Sequence, residues 1–175
     1  MSPGAAHDAR APAGTGLREL GRAAARVRGR GDEGALLREL LLLRAAGDAY
    51  AVPVERVREI VRLRPITPIP RAPAALLGVV ALRGDMIEVV DLRRRLGLAD
   101  AEPARTQRIV VLHGADGGAA GLRVDAASDV LRVTDAELEA TPAGEAGAVA
   151  ALCTWQGRFV SVLDVDRVLE LGDLG

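Results

Sequence analysis

The sequence contains no lysine, one cysteine, two histidines and three aromatic residues. Without lysine there is no P-loop lysine, no Schiff-base amine and no kinase-type lysine. His7, His113 and Cys153 are too few to assemble a zinc finger or a His-Glu-x-x-His protease. Cys153 lies in an apolar run, which is typical of a small buried residue. We therefore expect a protein with no catalytic residues, no cofactor and no metal.

Long apolar runs and an excess of charge of one sign are also missing. No uninterrupted apolar segment approaches the roughly 20 residues of a membrane span, and the N-terminus lacks a cationic segment followed by an apolar stretch. The formal net charge is −1, and few aromatics are available to stack on bases. Both features argue against nucleic-acid binding. The expectation is a cytoplasmic protein that does not insert into a membrane.

What the chain does have is an internal repeat. Residues 51–63 align with residues 121–133, and residues 84–92 align with residues 157–165. Apolar positions coincide in both alignments. The coinciding charged residues include Glu59 with Asp129 and Arg62 with Arg132. Because the repeat is longer than that of most solenoids, it indicates one small β module used twice.

The pattern of short apolar segments separated by turns predicts an all-β barrel or sandwich. We expect residues 1–34 to be disordered or partly helical, since they are rich in Ala, Gly and Pro. Residues 35–175 then form the folded body. Its two halves, 36–98 and 107–171, are each small and are expected to need each other for stability.

Three short helical segments are expected within this body. Val54–Ile60 is interpreted as one helical turn, Arg93–Leu96 as a short helix ended by Gly97, and Val165–Leu171 as a terminal helix.

Several motifs occur together in a specific order. They are Tyr50-Ala51-Val52-Pro53-Val54, Val57-Arg58-Glu59-Ile60, Ile66-Thr67-Pro68-Ile69-Pro70, Leu77-Gly78-Val79-Val80-Ala81-Leu82-Arg83-Gly84 and Val89-Val90-Asp91-Leu92-Arg93. In this order and spacing the chain resembles the CheW family of bacterial chemotaxis coupling proteins, over about Leu36 to Leu171. The match departs from the family pattern at Ala81, where Asn is usual, and at Glu88, where Pro is usual.

The resemblance implies a mainly β fold of two interlocked, SH3-like, five-stranded barrels with short helices. It also implies a non-catalytic adaptor that couples the cytoplasmic tips of chemoreceptors to the regulatory domain of a CheA-type histidine kinase. In that family the kinase domain pairs through pseudo-symmetric barrel ends, and the receptor tip lies in the groove between the barrels. The resemblance leaves open a scaffold of the same fold in a motility or developmental array. A nucleic-acid-binding small barrel is the less favoured alternative.

Carried over by motif, the partner-binding residues are Val57, Glu59, Gly78 and Arg83. Val57 would supply an apolar anchor, Gly78 a close backbone approach and Arg83 a guanidinium that grips a carboxylate. Gly78 and Arg83 each have a structural alternative. Gly78 could serve only to permit a bend in its strand, and Arg83 could pair within the chain with Asp91.

Overall fold

The structure, a computed structural model, describes residues 36–141 and 147–171. This part of the chain is built mainly from strands, so the predicted mainly β class is confirmed. The strands are β1 Leu37–Ala45, β2 Asp48–Pro53, β3 Val57–Arg62, β4 Leu76–Leu82, β5 Asp85–Asp91, β6 Arg108–His113, β7 Ala119–Val124, β8 Ala126–Thr134, β9 Glu139–Ala140, β10 Val149–Trp155 and β11 Arg158–Leu163. The prediction for residues 1–34 lies outside the described residues.

Two α-helices and two 3₁₀ turns complete the described elements. They are α1 Leu92–Arg95, α2 Val165–Leu169 and 3₁₀ turns at Val54–Arg56 and Asp135–Glu137. Asp91 and Asp164, which the repeat aligns, cap the two helices by accepting a hydrogen bond from the backbone N–H three residues later. A short side chain at this position satisfies an otherwise unpaired N–H.

The helical turn expected over Val54–Ile60 is wrong beyond Arg56, because β3 begins at Val57. From Val57 onward the side chains alternate between half-buried and exposed, which is the two-residue period of a strand.

The strands form two sheets that each combine both halves of the repeat. The six-stranded sheet has the order β8-β1-β2-β11-β10-β9, and the five-stranded sheet has the order β3-β6-β7-β5-β4. The first sheet thus takes β1 and β2 from residues 36–98 and its remaining strands from residues 107–171. The second takes β3, β4 and β5 from the first half and β6 and β7 from the second. Neither half contains all the strands of either sheet.

The two halves join through one parallel strand pair inside each sheet and through the antiparallel pairs β1–β8 and β3–β6. Tyr50 of β2 lies opposite Ser161 of β11, and Val89 of β5 lies opposite Gly121 of β7. All other pairings are antiparallel. The prediction of five strands per barrel holds for one sheet only. The two-residue strand β9 extends the other, and within residues 36–141 and 147–171 the edge strands of neither sheet pair with each other.

Aliphatic residues from both sheets fill a shared core. Its fully buried members include Leu43, Leu92, Val110 and Leu122, drawn from both halves. Cys153 is also buried, as its apolar surroundings predict, and burial raises the pKa of its thiol. The thiol is therefore protonated and unreactive at neutral pH.

Ion pairs between the halves supplement this core. Arg93 binds the Asp125 carboxylate through three hydrogen bonds of 2.6 to 3.1 Å, and Arg56 binds Asp166 at 2.5 Å. Burial acts to raise the pKa of Asp125, but hydrogen bonds from Arg93 and the Ala46 N–H outweigh it and hold that pKa below its usual range. Asp125 is therefore ionised at neutral pH, and its pairing with Arg93 links α1 to the start of β8.

Candidate partner-binding surface

Two of the predicted site residues, Glu59 and Arg83, lie in direct contact. Glu59 is in the middle of β3, and Arg83 occupies the turn between β4 and β5 with a φ of 52°. The Arg83 guanidinium donates three hydrogen bonds of 3.2 Å to the Glu59 carboxylate. β3 and β4 stand at opposite ends of the strand order. The five-stranded sheet therefore curls until its two edges face each other.

Two further side-chain contacts cross the same gap. Arg58 pairs with Asp85 at 3.4 Å, and Arg64 donates a hydrogen bond to the Ala81 carbonyl at 3.4 Å. These arginine side chains supplement a backbone bridge between Thr67, in the segment that follows β3, and Val79 of β4. This explains how a sheet without complete closure keeps the curvature of a small barrel.

The Glu59–Arg83 pair is asymmetric in its exposure. The Arg83 side chain is 71% exposed, whereas that of Glu59 is 17% exposed. A pair this exposed contributes about 0–1 kcal/mol to stability. Arginine has five N–H donors, so most of the Arg83 guanidinium surface remains available to an incoming carboxylate or carbonyl. The alternative pairing of Arg83 with Asp91 is wrong, because Asp91 is buried and pairs with Arg123.

The other two predicted site residues lie deeper. Val57 is half-buried at the start of β3 and packs against the shared core. Gly78 is buried in β4 with a φ of +141°, and a Cβ added there would lie 2.0 Å from the Thr67 carbonyl oxygen. The close backbone approach predicted for Gly78 is thus made within the chain. The structure brings Glu59 and Arg83 together and leaves Gly78 under the Thr67–Pro68 segment.

Sequence reasoning missed a set of exposed apolar residues that the repeat relates in pairs. Ile60 aligns with Val130, and Met86 aligns with Phe159, and all four are exposed. Met86 is 65% exposed and Phe159 is 77% exposed. The signal was present in the alternation of β3, where Ile60 shares the solvent face with Arg58 and Arg62. An apolar residue retained on both copies of a polar face suggests a contact surface.

A cavity adjoins each of the two most exposed members of this set. Met86 borders a cavity of about 400 Å³ that is also lined by Arg58, Asp85 and His113. Phe159 borders one of about 330 Å³ that Leu152 and Cys153 also line. Each sheet therefore presents a protruding apolar side chain beside a depression, a shape that suits protein contacts.

Two other kinds of site are missing from the described ranges. No group of three or more His, Cys, Asp or Glu side chains in residues 36–141 and 147–171 is placed to hold a metal ion. Within the same ranges no helix has the length and apolar character needed to cross a membrane.

Comparison with known proteins places this chain in a family. Chemotaxis protein CheW of Rhizobium meliloti (strain 1021) is 35% identical over 135 residues, covering 75% of this chain and 86% of the relative. Protein FrzA of Myxococcus xanthus is 32% identical over 107 residues, covering 61% and 66%. The fold resembles that of the scaffolding protein TtCheW from Thermoanaerobacter tengcongensis with a TM-score of 0.73, 24% identity and coverage of 78% of this chain and 95% of that one. The CheW-like domain family matches residues 39–172, and the chain belongs to that family.

Proposed function

We propose that this protein is a non-catalytic adaptor that couples chemoreceptors to a CheA-type histidine kinase in bacterial chemotaxis. The observation that carries the proposal is a pair of exposed apolar sites that the repeat relates to each other. One site contains Ile60 and Met86, and the other contains their aligned residues Val130 and Phe159. An adaptor needs at least two contact surfaces, and a duplicated module supplies two of similar chemistry on one body. The family relationship and the chemotaxis names of the relatives support the same conclusion.

The kinase regulatory domain is assigned to the sheet ends that carry Met86 and Phe159. A protruding apolar side chain beside a cavity gives a desolvated anchor, and the nearby Arg58 and Asp85 give a polar rim. Interfaces with an apolar centre and a polar rim concentrate their binding energy in the central residues. The helical tip of a chemoreceptor is assigned to the groove between the two sheets.

The exposed Arg83 guanidinium is assigned to direct contact with one of these partners. Glu59 holds it in position through the 3.2 Å hydrogen bonds, so less side-chain entropy is lost when a partner carboxylate binds. Val57 and Gly78 would shape the two facing edges of the sheet, Val57 on β3 from the core side and Gly78 on β4 by admitting the Thr67 backbone.

Replacing either protruding apolar residue with a charge should weaken kinase binding. We expect Met86→Glu or Phe159→Glu to cost roughly 2 kcal/mol or more of binding free energy, about a thirtyfold loss. Melting temperatures should stay near that of the wild type, because both side chains are exposed. Titration calorimetry with a kinase regulatory domain measures the loss.

Ile69→Glu is the matched control for both variants, since Ile69 is an exposed apolar residue outside the aligned repeat segments. It should bind normally. Equal losses in all three variants would contradict the assignment, and so would no loss in either test variant.

Arg83→Ala tests the second contact. We expect partner binding to weaken by about 1.5–3 kcal/mol, the range for a hydrogen bond to a charged group. The melting temperature should fall by less than roughly 4 °C, because the Glu59 pair is exposed. Arg71→Ala, at an exposed arginine outside the ion pairs of the described residues, should leave binding unchanged. A collapse in stability with unchanged affinity of the folded protein would make Arg83 structural.

A second candidate is the same adaptor role in a two-component array for motility or development. The similarity to Protein FrzA, whose name does not specify chemotaxis, favours keeping this candidate. Affinity purification of the protein from its native cell, followed by identification of the co-purifying histidine kinase and receptor, separates the two. If no histidine kinase co-purifies, both adaptor roles are wrong.

A further inference from the structure

The two copies of the repeat differ in the sign of one charge near the edge of each sheet. In the six-stranded sheet Arg132 of β8 lies opposite Glu39 of β1, and the two form a salt bridge of 2.8 Å. The repeat aligns Arg132 with Arg62, which lies opposite Arg108 of β6 in the five-stranded sheet. Glu39 and Arg108 occupy equivalent positions in the two sheets. The repeat aligns Pro53 with Arg123. Glu39 comes directly before the residue that lies opposite Pro53, and Arg108 comes directly before the residue that lies opposite Arg123. A glutamate in one copy is thus an arginine in the other.

Like charges directly opposite each other on paired strands are destabilising. One guanidinium nitrogen of Arg108, Nη1, donates hydrogen bonds to the backbone carbonyls of Arg105 and Gln107, both at 2.8 Å. No carboxylate of the described residues pairs with Arg62, Arg105 or Arg108. The Glu39 carboxylate that neutralises Arg132 in the six-stranded sheet therefore has no counterpart beside Arg62 in the five-stranded sheet.

The unneutralised arginines surround a cavity of about 440 Å³. Its lining residues are Arg62, Leu63, Ala104, Arg105, Gln107 and Arg108. The three guanidiniums can each donate several hydrogen bonds, and guanidinium geometry matches that of tetrahedral oxyanions. The charge and shape of the cavity both favour a small anion.

Gln107 does not select among such anions. It is 2% exposed, its Nε2 donates to the Glu102 carbonyl at 3.2 Å, and its Oε1 is buried out of reach of solvent and therefore of an anion in the cavity. The donors that remain are the arginines, which bind a tetrahedral oxyanion through its ionised oxygens.

We propose that this cavity, which we call the Arg62–Arg108 cavity, binds a tetrahedral oxyanion, with inorganic phosphate as the test ligand. Its ionised oxygens accept hydrogen bonds from Arg62, Arg105 and the free nitrogens of Arg108. The anion neutralises these arginines, as Glu39 neutralises Arg132 in the other sheet. The site is separate from the proposed kinase contacts at Met86 and Phe159, and its test does not require either partner.

The test compares inorganic phosphate with chloride at matched ionic strength, in the wild type and in arginine variants. Phosphate also stabilises proteins non-specifically, so the difference in stabilisation between the wild type and Arg62→Glu reports the site. We expect phosphate to raise the melting temperature of the wild type more than that of Arg62→Glu. Calorimetric titration should give a phosphate affinity that Arg62→Glu weakens roughly tenfold or more.

Arg62→Glu also predicts a second readout, because it creates a cross-strand pair with Arg108 like that of Glu39 and Arg132. In chloride this variant should melt roughly 1–3 °C above the wild type. Arg105→Gln serves as an independent variant and should also lose phosphate affinity. Arg158→Glu makes the same charge change at an exposed position in the other sheet and should bind phosphate normally. No measurable phosphate affinity in the wild type, or equal losses in Arg62→Glu and Arg158→Glu, would overturn the proposal.

Discussion

A fragment of residues 36–98 is expected to be unfolded or aggregated when expressed alone. It contains β1 and β2 of the six-stranded sheet and β3, β4 and β5 of the other, so neither sheet is complete. The parallel pairing of β5 with β7 and of β2 with β11 is lost. Buried residues such as Leu43 and Leu92 lose their core partners Val110 and Leu122, which exposes a large apolar surface.

Circular dichroism and thermal melts of the fragment measure this outcome. The matched control is co-expression of residues 36–98 with residues 99–171, which restores every strand of both sheets. The mixture should give a cooperative transition that neither fragment gives alone. A sharp melt of residues 36–98 by themselves would show that one half can fold without the strands of the other.

The second large effect is expected at Gly78. An added Cβ would lie 2.0 Å from the Thr67 carbonyl oxygen and 2.9 Å from the Pro68 Cα. The backbone there cannot move away cheaply, because Thr67 and Val79 exchange two hydrogen bonds of 2.9 Å. The φ of +141° adds strain for any residue with a side chain. We expect Gly78→Ala to cost roughly 4 kcal/mol or more in the free energy of unfolding.

Gly84→Ala is the matched control for this prediction. Gly84 also has a positive φ, of +87°, but an added Cβ there meets nothing within 4 Å. It should cost only about 1–2 kcal/mol from backbone strain. Chemical denaturation of both variants gives the two free energies directly. Equal costs would mean that the Thr67–Pro68 segment yields, and Gly78 would then be required for its conformation alone.

Much of the fold could be predicted because its signals are local. Alternating apolar residues indicated strands such as β3 and β5, and Gly97 with a φ of 70° follows the short helix that it was expected to end. The helical turn predicted over Val54–Ile60 was wrong beyond Arg56. Both the 3₁₀ turn and the strand that follows it contain β-branched residues, so residue type does not separate them. The register of the pairing with β6 decides where the strand begins. Local preference alone does not contain that register.

The candidate site was only partly predictable for the same reason. Glu59 and Arg83 were selected from motifs 24 residues apart in sequence, but their contact with each other depends on the curl of the five-stranded sheet. The apolar pair Met86 and Phe159 was visible in the repeat alignment, yet its significance depends on exposure. A side chain in a strand points to one of two faces, and the sequence does not say which face another element will cover.

By itself the sequence determined the β class, the duplication, the absence of lysine and the family resemblance, because these depend on composition and short-range pattern. Tertiary structure alone decided that each sheet is assembled from both copies, that Arg83 binds Glu59 and not Asp91, and that Arg62 faces Arg108 where Arg132 faces Glu39. Those outcomes depend on which strands become neighbours. Strand pairing depends on contacts between segments that are distant in sequence and that form when the shared core is buried. No single segment of the chain therefore specifies it.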